Sequence, residues 1–116
     1  MTVRRMKTYT GGQGYVYQYY FVGKRPAPAG GANEYIFDVT SDRKLTYSVS
    51  VLVELAALRS WAEVHGRVPT EAEEYGAAKM RLFKAFDEVE DMRAAGRELR
   101  VDLRGLAEAF TTLGVE

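Results

Sequence analysis

Aromatic and basic side chains are concentrated near the N-terminus, where their types suit ligand recognition better than catalysis. The stretch YVYQYYF at positions 15–21 holds half of the chain's eight tyrosines, and basic side chains flank it on both sides. Tyrosine rings stack on unpaired nucleic-acid bases while cations neutralise the phosphates. The candidate binding surface therefore comprises Tyr15, Tyr17, Tyr19, Tyr20, Arg4, Arg5, Lys24 and Arg25.

The sequence leaves three interpretations of this tyrosine stretch open. Tyrosine suits a half-buried pleated surface, so these residues fit a protein core. They also fit a stacking platform for nucleic acid, or a face on which the chain associates with a second copy. Alternation places Tyr17 and Tyr19 on one side of a strand and Tyr20 and Val22 on the other, without showing which side is buried. Because both sides are apolar, we expect a symmetry mate, a terminal segment or a ligand to cover the second one.

The glycine-rich segments do not match phosphate-binding motifs. GGQG at 11–14 lacks both the spacing of a dinucleotide fingerprint and a following helix, and GKR at 23–25 lacks the Ser/Thr and the upstream glycine of a P-loop. No serine has a histidine that the sequence positions as its base. We therefore expect a protein that is not an enzyme.

Metal and cofactor sites are also not indicated. The chain has one histidine, His65, and no cysteine, which argues against a transition-metal site. Asp87 and Asp91 are four residues apart and suit a hard cation, but a solvated helix face is the expected role of this acidic run. The prediction is that the chain uses no cofactor.

Length and composition predict one soluble globular domain over residues 1–116. Hydrophobic residues make up 47% and charged residues 28% of the 116 residues, which excludes a disordered chain or a membrane span on composition. The absence of cysteine and of an apolar run after the basic N-terminus predicts a cytoplasmic protein that does not enter a membrane.

Charge differs between the two halves although the formal net charge is zero. Residues 1–50 carry seven basic and three acidic side chains, whereas residues 51–116 carry nine basic and thirteen acidic ones. Such asymmetry is compatible with a nucleic-acid partner, which we keep as an alternative that is not favoured. A second alternative is an enzyme or binder that holds a small anionic ligand near Lys24 and Arg25.

Period-two alternation predicts strands in the N-terminal half, near 3–10, 14–23, 34–40 and 45–51. The apolar side of the last strand would start at Leu45, and the turns would fall at 10–14 and 41–44, where Gly, Ser and Asp favour them. Two prolines and two glycines predict a mobile loop over 24–33. Alternation over 98–102 is also compatible with a strand, which the sequence leaves open.

The C-terminal half changes to helical spacing and predicts helices near 53–65, 71–95 and 103–113. Thr70 and Glu73 match a capping box that opens the second helix. Asp102 is the expected N-cap of the third helix. The predicted fold class is α+β with two layers: an antiparallel β-meander of three or four strands, followed by two or three helices packed on one face. The favoured function is an interaction module that forms a homodimer.

Overall fold

The structure, a computed structural model that describes residues 6–116, has five strands and four helices in this part of the chain. Their order is β1 (Lys7–Thr10), β2 (Val16–Pro26), β3 (Ala32–Thr40), β4 (Tyr47–Glu54), α1 (Leu55–His65), α2 (Glu71–Glu88), α3 (Met92–Ala95), β5 (Glu98–Val101) and α4 (Leu103–Leu113). The strands form one sheet in chain order, antiparallel except for the parallel pair β4 and β5. The predicted α+β class, with a meander followed by helices, is confirmed.

The fifth strand exceeds the expected three or four. The sequence left open whether residues 98–102 form a strand. In the structure Glu98–Val101 is a strand, and it pairs with β4 from Ser50 to Val53. This pairing brings together segments that lie far apart in the sequence. A helix was expected to start near residue 53, but β4 continues to Glu54. The reason is that Val53 pairs with both neighbouring strands, β3 and β5.

Two other strand boundaries differ from the expectation. The loop predicted over 24–33 is shorter, because Lys24 pairs with Tyr35 and Arg25 with Glu34, so β2 and β3 extend into it. The strand expected over 45–51 begins at Tyr47, and Leu45 precedes it with 49% of its surface exposed. The strand expected over 3–10 is observed from Lys7, and its first residues lie outside the described part of the chain.

The helix expected over 71–95 is interrupted. α2 ends at Glu88, because Val89 adopts an extended conformation (φ −89°, ψ 118°). α3 then starts with Asp91 as its N-cap, whose side chain accepts from the Ala94 amide. The capping box of Thr70 and Glu73 is present as predicted, and so is the Asp102 N-cap of α4.

A single large core lies between the sheet and the helices. Residues that alternate along the strands supply one side of it, among them Tyr35, Phe37 and Val39 on β3, all at most 2% exposed. α1 contributes Trp61, which packs edge-on against Phe110 of α4. Leu55, the first residue of α1, is exposed.

The tyrosine stretch meets α2 on this core side. The Tyr17 ring stacks on Phe86, with ring centroids 4.2 Å apart, and Tyr19 contacts Phe83 edge-on at 5.5 Å. Both tyrosines are buried, at 2% and 5% exposure. The sequence did not show which side of β2 is buried. In the structure, the buried side is the one that bears Tyr17 and Tyr19.

Candidate functional site

The surface opposite the helices is a sheet face on which, among the described residues, no helix packs. We call it the open face. Its centre carries the residues of β2, β3 and β4 that alternate with the core residues. They are Gln18, Tyr20, Glu34, Ile36, Asp38, Ser48, Ser50 and Leu52.

The apolar part of the open face is small and central. Ile36 and Tyr20 are half-buried, and Leu52 is buried with Ala27 and Ala32, which belong to the turn between β2 and β3 and to the start of β3. Val22, also on β2, is 45% exposed. These side chains form an apolar patch with a polar surround of Ser, Thr and charged groups.

The predicted site residues do not form one surface. Tyr17 and Tyr19 lie in the core, Tyr20 lies on the open face, and Tyr15 is 47% exposed at the end of the sheet. Their rings are thus not side by side in a platform of four. Arg4 and Arg5 lie outside the described residues.

Lys24 and Arg25 are neighbours on β2 and therefore point to opposite faces, and an irregularity in β2 decides which of them faces the helices. The pairing register with β3 shifts between Phe21 and Gly23, so Val22 is an extra residue. Lys24 consequently shares the helix-covered face with Phe21, and Arg25 lies on the open face. Each of the two cations has its own carboxylate partner.

The partner of Lys24 is Glu74, a buried carboxylate in the first turns of α2. The Lys24 Nζ lies 3.3 Å from Glu74 Oε2, which also accepts from Asn33 Nδ2 at 3.0 Å and from the Tyr35 hydroxyl. Burial and the neighbouring Glu74 raise the pKa of Tyr35, so that its hydroxyl stays a hydrogen-bond donor. The cluster attaches the start of α2 to β2 and β3.

The partner of Arg25 is Glu34, which is 7% exposed although it belongs to the open face. Glu34 accepts from Ser50 Oγ at 2.6 Å and from Arg25 Nε at 2.7 Å. These two hydrogen bonds lower the pKa of Glu34, and the serine makes the larger contribution. The carboxylate therefore remains ionised and fully partnered within one chain.

Two further features from the sequence have structural partners. His65 stacks on Trp61 at 4.1 Å and its Nδ1 lies 2.9 Å from the Trp61 carbonyl oxygen. Asp87 is bound by Tyr9 and by the Gly12 amide. Across residues 6–116, no group of three or more His, Asp and Glu side chains is arranged to hold a metal ion.

Two of the cavities in the described part of the structure are lined by charged or aromatic side chains. The larger, about 720 Å³, is a groove between α2 and α4, where Arg81 Nε donates to the Arg100 carbonyl oxygen at 3.0 Å. Both acidic and basic side chains line it. The smaller, about 430 Å³, lies at the end of the sheet beside Tyr15 and Tyr17.

Sequence reasoning missed Glu34, Glu74 and Tyr47 as residues of interest. The first two are buried carboxylates, and Tyr47 carries a buried hydroxyl without a hydrogen-bond partner in the structure. Alternation does place Glu34 on the polar side of β3. No local signal marks the other two, because their environment is made by residues distant in the sequence.

Comparison with known proteins identifies no relative. No protein-family model, curated protein or solved structure matches this chain. In the part of the chain that the structure describes, no helix has the length and apolar character needed to cross a membrane.

Proposed function

We propose that the protein is a non-enzymatic interaction module that associates with a second copy of itself through the open face. The observation that carries this proposal is the apolar patch at the centre of a sheet face that no described helix covers, where Tyr20 and Ile36 are half-buried and Leu52 is buried beneath them. An exposed apolar patch that is rimmed by polar residues is typical of a protein–protein interface.

Two charge pairs of the open face are compatible with its burial. Arg25 is paired with Glu34, and Arg100 on β5 lies 3.8 Å from Glu54 on β4. Burying an unpaired charge is costly, whereas these pairs enter an interface already neutralised. A second copy is the favoured occupant, because a chain of zero net charge has little long-range repulsion from its own copies.

The size of the open face is sufficient for a weak specific dimer. With strands about 4.8 Å apart and about 3.3 Å per residue, the three long and two short strands give a face of roughly 550 Å². Two such faces would bury roughly 1,100 Å², close to the lower limit of about 1,000 Å² for specific interfaces. We therefore expect a reversible dimer in which two sheets pack face to face. The lack of cysteine agrees with a reducing compartment such as the cytoplasm for this association.

The test is the solution mass of the protein as a function of concentration at low and high salt. We expect a dimer that persists at high salt, because apolar burial is little screened. Ile36→Lys places a charge at the centre of the patch and should give a monomer with unchanged secondary structure. The matched control is Val64→Lys on α1, where the side chain is 80% exposed away from the sheet, and it should leave the dimer intact.

Three outcomes contradict the proposal. A wild-type chain that is monomeric at every concentration excludes self-association, and a dimer that survives Ile36→Lys uses another surface. A chain that becomes dimeric only after removal of residues 1–5 would show that a terminal segment covers the open face. If the monomer instead binds a labelled single-stranded oligonucleotide with steep salt dependence, the nucleic-acid alternative is favoured.

A further inference from the structure

The edge strand β1 lies along α2, and the two elements run in the same direction. The Tyr9 ring stacks on Phe83, with ring centroids 4.3 Å apart. One helical turn further on, the Gly12 amide donates to the Asp87 carboxylate at 2.9 Å. The same alignment, continued toward the start of both elements, decides which side chains meet there.

Toward the start of β1 and α2, this alignment places Lys7 opposite Lys79. Lys7 lies two strand residues before Tyr9, a distance of about 6.6 Å. Lys79 lies four helical residues before Phe83, a distance of about 6 Å. Lys7 also pairs with Tyr19 of β2, whose ring contacts α2, so the Lys7 side chain points toward the helix. Burial, followed by repulsion from Lys7, lowers the pKa of Lys79, as expected for two neighbouring ammonium groups.

Three aromatic rings surround the Lys79 ammonium group on its protein side. Its Nζ lies 5.7 Å from the ring centroid of Tyr19, 6.0 Å from that of Tyr75 and 5.8 Å from that of Phe83. Rings at about 6 Å attract a cation, but they do not neutralise its charge as a carboxylate does. Lys79 is half-buried and Lys7 is exposed, so a solute can reach the pair from the Lys7 side.

No carboxylate of the described residues forms an ion pair with either lysine. Glu74 and Asp87 contact the sheet from α2, but Lys24 binds the first and Tyr9 the second. The residues one turn from Lys79 on α2 are not acidic either; they are Tyr75, Gly76, Leu82 and Phe83. Residues 1–5 contain no acidic residue that could supply a counter-charge.

We propose that Lys7 and Lys79 bind the dianionic phosphate group of inorganic phosphate or of a small phosphate monoester. Such a group carries close to two negative charges at neutral pH and three acceptor oxygens, so it can neutralise both ammonium groups. Each lysine would donate to a different oxygen, because an ammonium group has donors and no acceptor. The methylene groups of Lys79 would stay packed on the aromatic rings. The site lies on the helix-covered side of β1, so it does not depend on the proposed dimer.

Titration of the full chain with inorganic phosphate at constant ionic strength, followed by amide and lysine side-chain NMR shifts, tests this inference. We expect saturable shifts at Lys7 and Lys79. Dimethyl phosphate, a diester with a single negative charge, should bind about tenfold more weakly, because one of the two cations then stays unneutralised. This comparison also separates a phosphate monoester from a nucleic-acid backbone, whose phosphates are singly charged diesters.

Two lysine variants locate the site. Lys79→Met keeps an unbranched apolar side chain over the rings and removes the charge, and it should weaken phosphate binding about tenfold or more. Lys7→Gln should have a similar effect, and because Lys7 is exposed it provides the test even if Lys79→Met fails to fold. The matched control is Lys84→Gln, an exposed lysine on α2, which should leave the affinity unchanged.

Thermal melting gives a second readout. Phosphate should raise the melting temperature of the wild type and of Lys84→Gln, relative to chloride at the same ionic strength, because a ligand stabilises the folded state that binds it. The increase should be absent in Lys7→Gln.

Other results overturn the inference. A lack of saturation with phosphate would show that the two lysines do not form a site. Equal affinity for dimethyl phosphate would show that the pair does not select a dianion. Full affinity in Lys7→Gln would place the bound phosphate elsewhere, and an equal loss in Lys84→Gln would indicate general attraction to positive charge.

Discussion

The Tyr9 hydroxyl donates to the Asp87 carboxylate, at 3.0 Å from each of its oxygens, and so joins the edge strand β1 to the last turn of α2. The Gly12 amide donates to the same carboxylate at 2.9 Å. The Tyr9 ring stacks on Phe83, with centroids 4.3 Å apart. Burial and the carboxylate raise the pKa of Tyr9, which keeps the hydroxyl a donor.

Tyr9→Phe preserves the ring stacking and removes only the hydroxyl. We expect the free energy of unfolding to fall by about 1 to 2 kcal/mol, the usual effect of a lost hydrogen bond to a charged acceptor at a partly buried site. Urea denaturation measures this change. Tyr15→Phe, at an exposed tyrosine, is the control and should have no measurable effect on stability. Equal losses in the two variants would show that the Asp87 contact does not contribute.

The turn between β1 and β2, whose Gly12 amide donates to Asp87, also packs closely against α2. A Cβ added at Gly11 would lie 2.5 Å from the Phe86 carbonyl oxygen, a backbone atom that cannot move without distorting α2. At Gly12 the nearest atoms would be 3.6 Å away, which is an ordinary contact. We therefore expect Gly11→Ala to destabilise the fold by about 2 kcal/mol or more.

Gly12→Ala is the matched control, because it keeps the amide that Asp87 binds. Thermal melting of both variants should show a clear loss for Gly11→Ala and a small change for Gly12→Ala. A Gly11→Ala variant as stable as the wild type would contradict the close packing of this turn against α2.

The buried carboxylate of Glu74 predicts a larger electrostatic effect. Glu74→Gln leaves Lys24 and the Tyr35 hydroxyl without an ionised acceptor, so we expect a loss of about 2 to 3 kcal/mol in the free energy of unfolding. Glu71 offers the control, because its carboxylate lies 3.7 Å from the same Lys24 Nζ but its side chain is 91% exposed. Glu71→Gln should change stability little.

Chemical denaturation of the two variants gives the comparison directly. Similar losses in both would mean that Lys24 interacts with general negative charge rather than with the buried Glu74. A stable Glu74→Gln variant would show that the amide satisfies Asn33 and Tyr35 as well as the carboxylate does.

Much of the fold follows from patterns that are local in the sequence. Alternation correctly separates Phe37 from Asp38, because neighbouring residues of a strand face opposite sides of the sheet. The capping box of Thr70 and Glu73 is correctly predicted because its hydrogen bonds join residues three positions apart. Such features depend little on the rest of the chain.

Features that depend on distant segments were not predictable in the same way. Spacing alone extends the stripe of α2 through Val89 and Met92, but the chain bends at Val89 and both residues still reach the core. The extra residue Val22 decides that Lys24 faces the helices and Arg25 the open face, and no residue type marks it. The buried surroundings of Tyr47 likewise arise from β2, the end of β3 and the start of α3 together.

The connection between α1 and α2 predicts a pH dependence of stability. Arg67 donates to both carboxylate oxygens of Glu73, at 2.8 Å and 2.9 Å, and the Thr70 amide donates to Oε1 at 2.8 Å. The Arg67 guanidinium, followed by the Thr70 amide, lowers the pKa of Glu73 from its ordinary value of 4.5 to about 2. Arg67 also bonds the Glu116 carbonyl oxygen, so this site holds the C-terminus as well.

A lowered pKa in the folded state means that the folded chain holds this proton less tightly than the unfolded chain does. The stabilisation by Glu73 is therefore fully present above pH 4.5 and is lost progressively as the pH falls toward about 2. Glu73→Gln keeps a capping-box side chain but cannot titrate. Its melting temperature should lie below that of the wild type at neutral pH and approach it at acid pH.

The measurement is the melting temperature of both proteins between neutral pH and pH 2, with Glu63→Gln on α1 as an exposed control that should follow the wild type. The lowered pKa of Glu34 acts with the same sign, but it is common to the three proteins and cancels in their differences. Because Glu73 and Arg67 lie at the surface, high salt should reduce the difference at neutral pH. A difference that stays constant with pH would mean that Gln disturbs the cap itself, and that the Arg67 pair does not stabilise the connection.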